Sequence, residues 1–229
     1  CEIVREHAQL DYLVVDISAF QLWSTHVFKP KVAVLTNIAE DHLSYFDNSF
    51  EAYQNAKLRI FRDMKAGGVV LRADLATQFS DLIDPNVQTH VFDVHDRSVD
   101  WYLDGDDLTH RNGAFMDRKL LRVAGRHNVA NALTTAAALS SVGIPISDIT
   151  EGLASFVGLA HRMEFVRELD GVSFYNDSKA TNPHAAMSGL CAMDGSLIVI
   201  AGGYDKGLDL REFAVVLSRH KHVLLTGPA

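Results

Sequence analysis

Short apolar runs that end abruptly in polar residues, alternating with stretches of helical spacing, constrain this chain more than any other feature. Tyr12-Leu13-Val14-Val15 and Val32-Ala33-Val34-Leu35 are apolar and largely β-branched throughout. That is the texture of strands buried on both faces of a parallel sheet rather than strands with one wet face. Asp16-Ile17-Ser18 follows the first run and Thr36-Asn37 the second. Phe50 to Arg62 has helical spacing, with Phe50, Tyr53, Leu58 and Phe61 available to one face, Gly67-Gly68 closes it, and Val69-Val70-Leu71 reads as another strand. Strand, polar turn and helix in succession predict an α/β fold with a mostly parallel sheet, whose ligands bind beyond the carboxyl ends of the strands.

From Gln88 to Val123 the texture changes. Alternating segments at Thr89–Val91, Trp101–Leu103 and Ala114–Met116 are separated by Asp104-Gly105 and Asn112-Gly113, which predicts a small antiparallel meander. Asn128 to Val142 is Ala- and Leu-rich and reads as a helix, and Ile146 to Phe156 as a second one after Pro145. A new unit begins near Gly158, with strands near Met163–Leu169 and Val172–Tyr175 and a helix from Pro183. Strand Leu197–Ala201, a helix near Leu210–Leu217 and strand Val223–Leu225 follow. The expected division is 1–157, a central domain, and 158–229, a partial Rossmann-like domain.

With 29 acidic against 21 basic residues the net charge is −8, which argues against a general affinity for nucleic acid or acidic lipid. No apolar run is long enough to span a bilayer, and Cys1-Glu2-Ile3-Val4-Arg5 is not a signal peptide. Cys1 and Cys191 are the two cysteines and have no paired spacing, so neither a disulfide scaffold nor a cysteine zinc site is expected, and a cytoplasmic setting is. The chain opens without Met and closes on Leu224-Leu225-Thr226-Gly227-Pro228-Ala229, and the expectation is a fragment of something longer.

Several polar groups sit where strands hand over to helices. Tyr175-Asn176-Asp177-Ser178-Lys179-Ala180-Thr181-Asn182-Pro183 packs an acid, a lysine and two hydroxyls into such a turn. It suits a phosphorylated or carboxylate ligand and would equally serve as a solvated N-cap. Thr36-Asn37-Ile38-Ala39-Glu40-Asp41-His42 puts two carboxylates and an imidazole after a strand, suitable for Mg²⁺ or phosphate, and Asp16 ends the neighbouring run. Taken singly, such acids are more often caps, and Lys57 on a helix is more often a surface residue. Arg126-His127-Asn128 with Asn131 opens the Ala-rich helix, and His161-Arg162 lies at the expected link. Arg162 could clamp phosphate or pair with an acid. Gly202-Gly203-Tyr204-Asp205-Lys206-Gly207 is a Gly-rich loop without the Walker A pattern.

In this order, these pieces resemble the Mur ligase superfamily of ATP-dependent amide-forming enzymes, and the Asn-Asp-Ser-Lys-Ala-Thr-Asn string resembles its D-glutamate-adding branch. The likeness runs from Asp16-Ile17-Ser18-Ala19-Phe20-Gln21-Leu22 to the Gly-Gly-Tyr-Asp-Lys loop. It implies ATP, UDP-N-acetylmuramoyl-L-alanine and D-glutamate as small-molecule partners, with no nucleic acid and no membrane. It further implies Mg²⁺ held by Asp16, His42 and Lys57, with Lys57 carried as a carbamate. Lys57, His42 and Arg162 would be catalytic. Asn128, Asn131, His161, Arg162 and Asp177 would face ATP, and Lys179, Thr181, Lys206 and Gln21 the other substrates.

The family usually has Glu-x-Ser-Ser where this chain reads Asp16-Ile17-Ser18-Ala19, and a shorter acid implies a looser metal contact. The phosphate loop Gly-x-x-Gly-Lys-[Thr/Ser] is also missing, which predicts that the chain alone is inactive. Another Mur-type or folylpolyglutamate-synthase-like ligase, or a non-catalytic Mur-like binding protein, are the competing readings.

Overall fold

The computed structural model describes residues 10–123, 125–193, 195–204 and 207–227. Helix α1 (Ala19–Ser24) precedes strand β1 (Val32–Leu35), helix α2 (Phe50–Arg62), strand β2 (Gly68–Arg72) and helix α3 (Ala73–Phe79). Strands β3 (Gln88–Asp93), β4 (Trp101–Asp104), β5 (Asp107–His110) and β6 (Gly113–Asp117) follow, then helices α4 (Arg126–Ser141) and α5 (Ile146–Ser155). The remaining elements are strands β7 (Glu164–Leu169) and β8 (Val172–Asn176), helix α6 (Pro183–Cys191), strand β9 (Ile198–Gly202), helix α7 (Arg211–Leu217) and strand β10 (His222–Thr226).

Strands β1 to β6 form one sheet in sequence order. Strands β1, β2, β3 and β4 run parallel, β3 meeting β4 over two residue pairs, and β4, β5 and β6 are antiparallel. The expected meander is therefore narrower than its sequence span. Gln88–Asp93 pairs parallel with β2 as a main-sheet strand, and the antiparallel hairpins extend that sheet instead of standing apart.

Strand β2 shows why its sequence is apolar at every position. Val70 faces a core with Val129, Leu133, Ala136, Ala137 and Ile149 of α4 and α5. Its neighbours Val69 and Leu71 face the opposite core with Leu58, Phe61, Leu75 and Phe79 of α2 and α3. Side chains alternate across a strand, so a strand covered on both faces must be apolar throughout. Small residues on α4 let the helix lie close on the sheet, where Ala136 and Ala137 are fully buried. Helix α2 starts where the sequence predicts because Ser49 caps it, accepting from the Ala52 amide, but Asp63 is its C-cap, so Gly67-Gly68 does not close it and instead opens β2.

Tyr12–Val15 corrects the sequence reading. It forms no strand among the described residues, and Val14 is 92% exposed. An apolar run becomes a strand only when a ladder partner lies beside it. Here Tyr12 instead donates its hydroxyl to the Val142 carbonyl, while Lys31 Nζ lies over its ring. Asp16 therefore ends an exposed segment rather than a strand.

After α5, β7 and β8 form a hairpin through Asp170 and Gly171. Both turn residues have positive φ, the type I′ geometry that fits strand twist. Strands β9 and β10 pair in parallel, as a Rossmann-like unit requires. No helix among the described residues is long and apolar enough to cross a membrane.

Candidate functional site

Three segments converge beyond the carboxyl end of β1. The first is Asp41-His42, which leads into a 3-10 turn over Leu43–Phe46. Asp41 Oδ1 accepts from the His42 backbone N–H at 2.9 Å, and His42 sits in the left-handed region at φ 52°. Its imidazole Nε2 is 3.7 Å from the same carboxylate oxygen, and its ring lies edge-on to Phe20.

The second segment is α2, which carries Tyr53 and Lys57 toward Asp41. Tyr53 is buried with Phe46, Ala19 and Ala56, and Lys57 Nζ stands over its ring at 5.3 Å. Burial pushes the Lys57 amine below its ordinary value, while the Asp41 and Asp16 carboxylates pull it partly back. Burial, and then Asp41, raise the Tyr53 phenol. Arg59 donates to the carbonyls of Trp23 and Thr25, and Arg62 to that of His26, which ties the end of α1 to α2. Lys57 is thus half-buried near two carboxylates, not a free surface residue.

The third segment is the loop from Asp177 to Asn182. Asp177 Oδ1 accepts from the Met163 amide at 3.0 Å, and the carboxylate lies against Gly189 of α6. At the start of α4, burial lowers the His127 imidazole and the Asp177 carboxylate partly restores it. Asn182 caps α6, its Oδ1 accepting from the Ala185 amide at 2.8 Å. Its Nδ2 donates to Asp41 Oδ2 at 3.2 Å, joining residues 141 positions apart in sequence.

Asp41, His42 and Lys57 come together, with Asp16 near enough to act on the Lys57 charge. Gln21 is turned inward on its own helix, since its Oε1 accepts from the Ser18 amide at 2.8 Å in a capping box on α1. Asn128 and Asn131 share the first turns of α4, with Asn131 Nδ2 donating to Asn128 Oδ1 at 3.4 Å. His161, at φ 66°, places Nδ1 2.8 Å from Asn176 Nδ2. Its carbonyl accepts from the Lys179 amide at 3.0 Å. The side chains of Arg162, Lys179 and Thr181 are exposed. Lys206 lies outside the described residues.

With Lys57 as an amine, no group of three or more His, Cys, Asp or Glu side chains among the described residues is placed to hold a metal ion. Asp16, Asp41 and His42 are donors of the kinds a divalent cation takes, but they do not stand as one set of three ligands, and Lys57 puts a positive charge beside them. Sequence reasoning did not single out Tyr53, His127 or Gly189 as site residues, and it offered Asp41 only as one of the two carboxylates in the run that ends at His42. It included Asn182 only as part of a string, although Asn followed by Pro is a legible N-cap signal.

Comparison with known proteins agrees with this architecture. Residues 4–139 match the Mur ligase middle domain, and residues 161–229 match the Mur ligase glutamate ligase domain. The UDP-N-acetylmuramoylalanine–D-glutamate ligase of Thermoanaerobacter sp. strain X514 is 35% identical over 233 residues, covering 98% of this chain and 51% of that protein. The enzyme of the same name from Streptococcus gordonii is 36% identical over 234 residues, covering 99% of this chain and 50% of its own length. The chain thus spans about half the length of the curated relatives it matches. MurF from Acinetobacter baumannii superposes with a TM-score of 0.72 at 22% identity, over 87% of this chain and 47% of that one. MurF ligase from Thermotoga maritima, solved in complex with ADP, gives 0.66 at 18% identity, over 86% and 48%. At those identities the solved structures share the fold. The middle-domain match alone covers more than half of the sequence, and the chain belongs to the Mur ligase family.

Proposed function

We propose that this chain forms the nucleotide-side and amino-acid-side walls of a cytoplasmic ATP-dependent ligase. The ligase adds D-glutamate to UDP-N-acetylmuramoyl-L-alanine in peptidoglycan precursor synthesis. The observation that carries the reading is the convergence at Asp41. There the loop Asp177-Ser178-Lys179-Ala180-Thr181-Asn182 meets the Asp41–His42–Lys57 cluster through the Asn182 hydrogen bond. Relatives named for the D-glutamate ligase add support.

In this reading the muramoyl-alanine carboxylate attacks the γ-phosphate of ATP and ADP leaves. The D-glutamate amine then displaces phosphate from the acyl phosphate through a tetrahedral intermediate. Asn128 and Asn131 face the adenine end, and His161, Arg162 and Asp177 face the ribose and phosphates. Lys179, Thr181, Lys206 and Gln21 meet the carboxylates of the other substrates. Arg162 neutralises charge as the phosphoryl group moves, so positioning and electrostatics supply most of the rate.

Asp16, His42 and Lys57 would hold Mg²⁺ once Lys57 reacts with CO₂. Only the neutral amine can react, and burial favours that form. The product replaces a cation with an anionic ligand, which removes the misfit of a lysine among metal donors. Bound there, Mg²⁺ supplies neutralisation of phosphate charge. The division near residue 157 belongs to the same reading, with the adenine contacts before it, the ribose and phosphate contacts just after it, and Lys179, Thr181 and Lys206 beyond them.

The test is a chimera in which this chain replaces the matching half of the Streptococcus gordonii ligase. Phosphate release that depends on D-glutamate and on UDP-N-acetylmuramoyl-L-alanine is expected. Release driven by another amino acid would favour a different Mur-type or folylpolyglutamate-synthase-like specificity. A folded chimera that binds substrates without turnover would favour a binding protein.

A further inference from the structure

We propose that Asn182 is a positioning residue that locks the loop before α6 to the Asp41–His42 turn, so that the two walls of the site take up one arrangement. The inference rests on the ligase reading for its consequence and on geometry for its substance.

The side-chain amide of Asn182 works in two directions. Its oxygen caps α6 through the Ala185 amide at 2.8 Å, and its nitrogen donates to Asp41 Oδ2 at 3.2 Å. The other oxygen of Asp41 accepts from the His42 amide at 2.9 Å, in a turn that holds His42 at φ 52°. A single carboxylate therefore joins the α6 cap to the residue whose imidazole faces the site. Pro183 at the first turn of α6 restricts the backbone there, so the cap residue is presented in one geometry.

Residue choice sharpens the argument. As an N-cap, Asp and Ser serve about as well as Asn. Neither can make the second bond: ionised Asp has no donor and would set a carboxylate against Asp41, and Ser is too short to reach. An amide is the cap that also satisfies Asp41. Ala192 at the end of α6 also packs against Gly125 at the start of α4, a contact that leaves the Asp41 oxygen unfixed.

The experiment compares Asn182→Asp and Asn182→Ser with the unchanged chain. Residual dipolar couplings of α4 and α6 should fit one alignment tensor in the unchanged chain and two in each variant. Helical content should stay constant, because both replacements keep the cap. In the chimera, Asn182→Asp should lower kcat about tenfold and leave the KM for ATP within twofold. A role confined to capping predicts that both variants keep one tensor and full kcat, and either result overturns the proposal. If the unsubstituted chimera has no ligase activity, the ligase reading fails, and the couplings still decide whether Asn182 locks the two segments.

Discussion

Gly189 shows how closely the site residues constrain one another. A Cβ at this position would stand 2.6 Å from Asp177 Oδ2 and 2.9 Å from Met163 Sδ. The thioether can swing aside, but Asp177 is pinned by the Met163 amide at 3.0 Å. Gly189→Ala should therefore push the Asp177 carboxylate off its place at a cost of about 1–3 kcal/mol, the usual range for overpacking. Urea unfolding measures it, and an unchanged midpoint would mean that the loop yields freely. The sequence exposed this loop through its own residues, Asp177, Lys179 and Thr181. It did not expose Gly189, because a helical glycine carries no mark of the carboxylate that packs on it.

Among the elements, helical spacing or a turn signal over many residues made most of them legible, whereas the six-residue α1 was too short to show a period despite its capping box. Helix α2 has Ser49 at its cap, helix α6 has Asn182 and Pro183, and Asp-Gly or Asn-Gly turns bound the strands from β4 to β6. Helix α3 escaped notice because it follows β2 directly and Arg72 makes no side-chain cap bond. The start of β2 depends on one glycine. Gly67 has φ +95°, and a Cβ there would collide with the Lys31 backbone carbonyl oxygen, which also accepts from the Gly68 amide at 3.0 Å. Neither partner in that clash can rotate away. Gly67→Ala should destabilise the chain by about 1–3 kcal/mol or more through backbone strain, lowering the thermal midpoint. Gly105→Ala, with φ +63° but open space around it, should do less damage.

Across the whole molecule, three histidines couple stability to pH. Burial lowers the affinity of His90, His110 and His127 for a proton. Asp100 partly opposes this at the first two and Asp177 at the third, while His110 adds to the lowering of His90 and Arg111 to that of His110. Each group binds a proton less readily when folded than when unfolded. The stabilisation is then fully present above the unfolded value near 6.5 and is lost as pH falls through the lowered folded value. The thermal midpoint should drop between pH 7 and pH 5, and replacing His90 and His110 together with Gln should flatten that drop. An equally steep drop in the double variant would assign the effect elsewhere.

The sequence by itself determined the α/β class, the strand–turn–helix order and the segments that carry Asp41, His42, Lys57 and Asp177. These follow from local physics: apolar runs for strands covered on both faces, helical spacing for the covering layers, and capping chemistry at the junctions. Tertiary structure alone decided which runs found partners, so Tyr12–Val15 lies outside the sheet and Gln88–Asp93 joins it in parallel. It alone also set Asn182 against Asp41 across 141 positions. Periodicity describes a residue's relation to its own element, whereas a ladder or a long-range hydrogen bond requires a second segment whose position only the packed chain defines.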